Sequence, residues 1–220
     1  MIFDLTYSPD FPDPRYGNES GFYAVGGEIT PERLAMAYPK GIFPYYAYKE
    51  ERICWWAPQK RFVIFPHKIH VSHSMRNLMN KGELRCTINQ DFAGVLAGCA
   101  CIDGRMEEDN AWLGPELIDV WMRLHDMGLA KSVEVWKGEE LVGGLYGFVS
   151  GKAFLGDSMF SLEPSASKLA LIHLARHIEA QNGAFIDCQL ETPHLRSMGA
   201  EYISYEEFLR QTDGPSSINW

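Results

Sequence analysis

The sequence predicts an α+β protein with a small, loop-rich N-terminal lobe over residues 1–66 and a larger, more regular domain over residues 67–220. Its 220 residues are 46% hydrophobic and 22% charged, the composition of a globular protein with a sizeable core. Proline and glycine are frequent up to residue 66 and permit only short elements there. Beyond that point helical and strand periodicities follow one another, which indicates a mixed domain.

In the N-terminal lobe the sequence predicts one short helix. Thr30 is a suitable N-cap, Pro31 fits the first helical position, and Pro39 lies where a helix has to end. We therefore expect the helix to begin at Pro31 and to end just before Pro39.

The larger domain is predicted to contain a helix, hairpin strands, a second helix and a buried strand, in that order. Apolar residues at helical spacing indicate the helices. Alternation of apolar and polar residues, in runs bounded by turn-forming residues, indicates strands. Gly143 and Gly144 mark a bulge or a close approach. The predicted ranges are helix Pro115–Met127, strands Ser132–Trp136, Leu141–Val149 and Ala153–Phe160, helix Ser167–Gln181, and strand Phe185–Leu190.

The formal charge of −9, from 20 Lys and Arg against 29 Asp and Glu, argues against a protein that coats nucleic acid non-specifically. The window from Lys60 to Arg85 is nevertheless cationic at about +5, so the remainder carries about −14. Such a strip is either an ordinary solvated surface or a site for one polyanion, and charge alone leaves both interpretations open.

Two polar residues in the last predicted strand are candidate functional residues. Asp187 and Gln189 are two residues apart, so both would lie on one face of a strand. A carboxylate beside an amide can accept hydrogen bonds from an amine and orient it as a nucleophile. The alternative is that the pair satisfies loop backbone groups where the strand ends.

A second polar pair follows the third strand among large apolar residues. Asp157 could bind a ligand ammonium group through charge-assisted hydrogen bonds. Alternatively, Asp157 and Ser158 supply capping oxygens for the next helix. Aromatic residues also crowd around Tyr38 and Tyr45 and recur at Trp112. Such rings either stack on nucleotide bases or fill a small core.

The sequence gives no sign of a disulfide framework or a structural zinc site, because its five cysteines are scattered and form no C-x-x-C pair. Its apolar runs are far shorter than the roughly 20 residues that cross a bilayer, and it begins without a signal-peptide pattern. We expect a cytoplasmic protein without a membrane partner.

Seven segments in fixed order resemble the signature blocks of the bacterial leucyl/phenylalanyl-tRNA protein transferase family. They span about residues 22 to 200, and an ordered set is far more specific than one motif. The segments are Ala37–Pro44, Trp55–Pro58, Ser132–Trp136, Gly143–Gly147, Gly156–Ser161, Ala166–Lys168 and Ile186–Gln189.

This resemblance implies an enzyme that moves leucine or phenylalanine from aminoacyl-tRNA to proteins with N-terminal Arg or Lys, a tag for degradation by the N-end rule. It also implies that the larger domain has a GNAT-like fold. The implied catalytic residues are Asp187 and Gln189. The implied aminoacyl-binding residues are Leu145, Phe154, Gly156, Asp157, Ser158, Leu174, Ile178 and Ile186. Tyr38, Tyr45 and Trp112 would hold the 3′-terminal adenosine of the tRNA, and Lys60, Arg61, Arg76 and Lys81 its backbone.

No cofactor or metal is expected, because an aminoacyl ester is already activated and positioning the attacking amine supplies much of the acceleration. In this hypothesis Gln189 accepts a hydrogen bond from the attacking amine, while Asp187 orients Gln189 and helps the proton depart. Asp157 stands where the family commonly has the longer Glu. We expect a monomer.

Two other functions fit part of the pattern. A CoA-dependent acetyltransferase has a similar strand order, but the stretch Ser161–Ser167, where a pyrophosphate would lie, contains no glycine. A non-catalytic RNA-binding or peptide-binding module is the second alternative, and single-turnover transfer from charged tRNA would distinguish it.

Overall fold

The computed structural model describes residues 1–8, 10–18, 20–45, 52–101 and 113–220, with the backbone alone at residue 45. The described strands are β1 (Phe3–Asp4), β2 (Phe22–Val25), β3 (Phe43–Tyr45), β4 (Cys54–Trp56), β5 (Lys60–Ile64), β6 (Leu84–Ile88), β7 (Ala130–Lys137), β8 (Glu140–Ser150), β9 (Ala153–Ser161), β10 (Phe185–Asp187) and β11 (Glu201–Ser204). The described α-helices are α1 (Pro31–Ala37), α2 (His73–Lys81), α3 (Phe92–Cys101), α4 (Pro115–Asp126), α5 (Ala166–Ala180), α6 (Pro193–Ser197) and α7 (Tyr205–Thr212). The protein is therefore α+β.

The predicted elements are reproduced within two residues at each end, with one exception. Thr30 caps α1 as expected, since its Oγ1 accepts the Arg33 N–H at 3.2 Å. The exception is the last predicted strand, Phe185–Leu190. β10 ends at Asp187, and Gln189 has a φ of 59°, which a strand residue does not adopt.

A small sheet in the order β1-β2-β4-β3 forms the N-terminal part. Trp55 on β4 is fully buried there and its indole Nε1 donates to the Gly26 carbonyl at 2.9 Å. This bond satisfies the polar atom of a large buried ring, so Trp55 can serve as the centre of the small core.

The large sheet has seven strands in the order β11-β5-β10-β9-β8-β7-β6. Strands β6 to β9 are antiparallel neighbours, β10 pairs with β9 in parallel, and β5 lies antiparallel between β10 and β11. The predicted boundary at residue 66 therefore lies after a strand that already belongs to the large sheet.

Helices cover both faces of the large sheet. α5 packs on one face and buries a cluster that includes Leu174 and Ile186. α3 and α4 pack on the other face, next to the N-terminal part. The predicted close approach at Gly143 and Gly144 is present, because a Cβ on Gly143 would lie 2.5 Å from the Ala166 Cβ and one on Gly144 would lie 2.7 Å from the Val133 carbonyl oxygen. Within the described ranges, no helix has the length and apolar character needed to cross a membrane.

Candidate active site

A cavity of about 210 Å³ opens where β8, β9 and β10 meet α5 and α6. This volume is smaller than the roughly 300–1,000 Å³ of a site for a drug-sized ligand and suits one large amino-acid side chain. Its lining is mainly apolar, with two carboxylates, of Asp157 and Asp187, and two hydroxyls, of Tyr146 and Ser158, among the lining residues. The lining residues are Leu145, Tyr146, Phe154, Gly156, Asp157, Ser158, Met159, Leu171, Leu174, Ile186, Asp187, Cys188 and Leu195.

The fold brings together seven of the eight residues predicted to bind the aminoacyl group. The exception is Ile178. It is fully buried on α5, and the methyl carbon of its side chain lies against Gly183, outside the lining. α5 presents Leu171 and Leu174 to the cavity, and Ile178 is one turn further along the helix. Ile178 is therefore a core residue.

Asp157 owes its orientation to a bulge in β9. Tyr146 pairs with Ser158 and Gly147 pairs with Gly156, so Asp157 has no partner on β8. An extra residue of this kind re-aims a side chain and increases the local twist. Gly147 is required here, because a Cβ at that position would lie 2.2 Å from the Leu155 carbonyl oxygen.

Three side chains hold the Asp157 carboxylate. The Tyr38 hydroxyl donates to Oδ1 at 2.5 Å and the Tyr146 hydroxyl donates to Oδ2 at 2.9 Å. The Gln189 Nε2 lies 3.5 Å from Oδ1, the long limit of a hydrogen bond. Asp157 remains partly exposed to the cavity, so its carboxylate can meet a ligand.

Burial raises the pKa of Asp157 to about 6, and the hydrogen bonds from Tyr38, Tyr146 and Gln189 oppose part of this rise. Burial and the neighbouring carboxylate raise the pKa of Tyr38 and of Tyr146 well above 10, so both hydroxyls stay protonated and donate. Asp157 thus combines a raised pKa with a position beside a cavity, a combination that is typical of functional sites.

Asp187 is completely buried and forms an ion pair with Arg61, which is 2% exposed. Arg61 Nη2 donates to Asp187 Oδ2 and Nε donates to Oδ1 at 3.3 Å, so the guanidinium grips both oxygens. Since side chains alternate along β10, Ile186 faces α5 and Asp187 faces the N-terminal part. Asp187 is also among the residues that line the cavity, and its predicted help in the departure of the proton stays a prediction.

Gln189 occupies a tight turn after β10. The Leu190 N–H donates to the Cys188 carbonyl at 2.7 Å, and with a φ of 59° at Gln189 this is a γ-turn in its rare, strained form. The Gln189 N–H donates to Asp187 Oδ1 at 3.1 Å. Asp187 therefore satisfies the backbone at the strand end, which was the alternative interpretation of this pair, while the Gln189 side chain extends to Asp157.

The Leucyl/phenylalanyl-tRNA protein transferase model matches residues 63–213, and the model of the N-terminal domain of the same family matches residues 27–59. The chain belongs to this family. A leucyl/phenylalanyl-tRNA protein transferase from Edwardsiella ictaluri is 42% identical over 206 residues, 93% of this chain and 83% of the relative. One from Cellvibrio japonicus is 44% identical, over 92% of this chain and 86% of the relative.

Two solved structures resemble this member of the family distantly. A protein of unknown function from Bacteroides thetaiotaomicron has a TM-score of 0.47 at 11% identity, over 73% of this chain and 60% of that one. L-PGS from Bacillus licheniformis has a TM-score of 0.43 at 12% identity, over 76% of this chain and 52% of that one.

The residues predicted to contact tRNA in this member of the transferase family differ in their exposure to solvent. Lys60, at the start of β5, and Arg76 and Lys81, on α2, are exposed. Arg61 is buried and held by Asp187, so it cannot reach a phosphate. The prediction for Arg61 was wrong because the next position along a strand points to the opposite face of the sheet.

The residues predicted to hold the terminal adenosine are Tyr38, Tyr45 and Trp112. The Tyr38 ring is 3% exposed and stacks on Phe148 at 5.2 Å, so it offers no open face to a base, and the stacking prediction for it was wrong. Only its hydroxyl takes part in the site. The side chain of Tyr45 and the whole of Trp112 lie outside the described residues.

Five lining residues of this transferase site were not among the predicted ones: Tyr146, Met159, Leu171, Cys188 and Leu195. Tyr146 lies inside an apolar strand, where a hydroxyl needs a partner, and this was the available signal. Leu195 enters the lining from α6, and its position relative to the other lining residues follows only from the tertiary structure. Among the described residues, no group of three His, Cys, Asp or Glu side chains is arranged to hold a metal ion.

Proposed function

We propose that this chain transfers leucine or phenylalanine from the 3′ end of an aminoacyl-tRNA to the N-terminal amine of proteins that begin with Arg or Lys. The observation that best supports the proposal is a small apolar cavity with the Asp157 carboxylate at its border. Two tyrosine hydroxyls and a glutamine amide donate hydrogen bonds to this carboxylate. The product would bear the N-terminal residue that marks it for degradation by the N-end rule.

The cavity is proposed to receive the side chain of the donor amino acid. Leu145, Phe154, Leu174 and Ile186 bring apolar surface to it from three strands and one helix. Leucine and phenylalanine branch at or beyond Cγ and can extend into a narrow cavity, whereas valine and isoleucine crowd its entrance at Cβ. Discrimination of this size is worth about 1–3 kcal/mol in an apolar pocket.

Asp157 is proposed to bind the α-amino group of the donor residue. Its carboxylate opens onto the cavity and a charge-assisted hydrogen bond to an ammonium group is roughly twice as strong as a neutral one. The hydroxyls of Tyr38 and Tyr146 fix its orientation before the substrate arrives.

The reaction then needs orientation more than activation. The nitrogen of the acceptor amine attacks the ester carbonyl carbon, a C–N bond forms, and the C–O bond to the ribose breaks. The proton lost by the amine ends on the ribose oxygen. Gln189 is proposed to accept a hydrogen bond from the attacking amine, with Asp187 acting behind it through the Gln189 backbone.

The tRNA is proposed to lie along the exposed cations Lys60, Arg76 and Lys81, with Tyr45 and Trp112 at its terminal adenosine. The acidic remainder of the chain would favour acceptors that begin with a cation. We propose further a GNAT-like fold for the larger domain, supported by the parallel pairing of β10 with β9 after the crossover helix α5, and a monomer that acts in the cytoplasm.

The experiment that tests this function is transfer of labelled leucine from leucyl-tRNA to four peptides that differ only in the first residue, Arg, Lys, Asp or Ala. We expect product with Arg and Lys and at least tenfold less with Asp and Ala. Preference for Asp would contradict the proposed acceptor, and no product with any peptide would contradict the proposed reaction.

A further inference from the structure

Arg61 connects two segments of the chain, and each of them carries a side chain that contacts Asp157. Its Nη1 donates to the Gly41 carbonyl at 2.9 Å, and its Nε and Nη2 donate to Asp187. Gly41 closes the 3₁₀ turn that begins at Tyr38, where the Gly41 N–H donates to the Tyr38 carbonyl at 2.9 Å. Asp187 in turn accepts the N–H of Gln189.

We infer that Arg61 is a positioning residue for the transfer reaction: it clamps the turn that carries Tyr38 to the turn that carries Gln189, so that both side chains meet on Asp157. This inference rests on the proposed function. Arg61 touches neither the cavity nor a substrate group and acts through Gly41 and Asp187.

The strain at Gln189 explains why a clamp is needed. A γ-turn with positive φ at a residue other than glycine is strained and persists only when its surroundings fix it. Asp187 fixes the Gln189 N–H, but a fully buried carboxylate is costly unless its charge is paired and its oxygens accept hydrogen bonds. The fork of the guanidinium occupies both oxygens and leaves a single orientation for the carboxylate.

The surroundings of Arg61 also hold the guanidinium itself in place. Its central carbon lies 5.3 Å from the centre of the Phe43 ring and 4.8 Å from that of Phe208, so the cation lies against two aromatic rings. A lysine could keep the charge but could not donate to Gly41 and to both oxygens of Asp187 with the same geometry.

The test compares Arg61→Met and Arg61→Lys with wild type, at a temperature where all are folded. Removing one member of a buried ion pair is strongly destabilising, whereas lysine keeps the charge beside Asp187, so Arg61→Lys keeps the test usable if Arg61→Met does not fold. Lys152→Met, at the exposed turn between β8 and β9, is the matched control.

We expect Arg61→Met to lose at least tenfold in the single-turnover rate at saturating aminoacyl-tRNA, with tRNA affinity and its salt dependence within twofold of wild type. Arg61→Lys should be intermediate. The lower inflection of the pH–rate profile should move to higher pH in the slow variants, because Tyr38 and Gln189 no longer stabilise the Asp157 carboxylate. A purely structural role would leave that inflection in place.

Either of two results would overturn the inference. One is transfer at the wild-type rate with an unshifted inflection by Arg61→Met, or by Arg61→Lys if Arg61→Met does not fold. The other is weaker tRNA binding with a lower salt dependence and an unchanged rate at saturation, which identifies Arg61 as a phosphate contact. Absence of product from the wild-type protein would count instead against the proposed function, so the two failures are distinguishable.

Discussion

Replacing Asp157 with asparagine removes one charge at the rim of the cavity and nearly preserves the shape of the side chain. Because burial raises the pKa of Asp157 to about 6, the carboxylate is about half ionised at pH 6 and about one-tenth ionised at pH 5. If the ionised form binds the donor amine, transfer should fall about tenfold between the plateau and pH 5. The variant loses a hydrogen bond to a charged group, worth about 1.5–3 kcal/mol, or roughly tenfold to 150-fold in kcat/KM.

The same substitution should stabilise the fold at neutral pH. The folded-state pKa of Asp157 lies above the value of 3.8 for an exposed aspartate, so the folded protein binds this proton more tightly than the unfolded chain does. The stability that comes from this proton is complete below about pH 4 and is lost as the pH rises through about 6. A shift of about two pH units sets an upper bound of roughly 3 kcal/mol. Asparagine is neutral throughout, so the variant should melt above wild type at pH 7 and close to wild type at pH 4.

The assay is transfer of labelled leucine to a peptide that begins with Arg, followed from pH 5 to pH 8.5, together with thermal unfolding at pH 4 and pH 7. The acceptor amine titrates at about pH 7.7–8.0 and gives a second, upper inflection that wild type and variant share. If Asp157→Asn keeps both the lower inflection and the wild-type rate, the assignment of that inflection to Asp157 is refuted. A variant less stable than wild type at pH 7 would refute the sign of the stability effect.

Three further substitutions test other parts of the site. Leu174→Ala enlarges the cavity and should lower the free energy of unfolding by about 2–5 kcal/mol while raising transfer of phenylalanine relative to leucine, measured by competition; an unchanged ratio would contradict the placement of the donor side chain. Ile178→Val should cost about 0.5–1.5 kcal/mol without changing that ratio, since Ile178 lies outside the lining, and a changed ratio would show that it shapes the cavity. Arg76→Ala should weaken tRNA binding and lower the slope of log affinity against log salt by about one, measured between 50 and 200 mM salt, whereas an unchanged slope would exclude Arg76 as a phosphate contact.

The apolar half of the site was predicted from the resemblance of the sequence to the family, and local periodicity agrees with that prediction. Alternation along β8 and β9 and helical spacing along α5 place Leu145, Phe154 and Leu174 on the same side of the sheet. The resemblance placed Ile178 in the same set, but the cavity borders only the part of α5 that carries Leu171 and Leu174, so Ile178 lies outside the lining.

The polar half of the site depends on contacts between distant parts of the chain. Arg61 and Asp187 are 126 residues apart, and a strand with charged residues at its start resembles a surface strand until its partner is known. The positive φ at Gln189 could not be predicted, because the residue there is not a glycine. The bulge at Asp157 could not be predicted either, because it depends on how β9 pairs with β8. Tyr38 was expected as a stacking ring, since its sequence does not show that Trp121 and Phe148 enclose it.

The most direct test of the account is a single-turnover reaction between preformed leucyl-tRNA and a peptide that begins with Arg, with wild type and Gln189→Ala compared at equal occupancy by tRNA. The account predicts a leucyl-peptide from wild type, and from Gln189→Ala the same tRNA affinity with transfer at least tenfold slower. Equal rates from the two proteins would contradict the proposed role of Gln189, and tRNA binding without product from wild type would show a binding module in place of an enzyme.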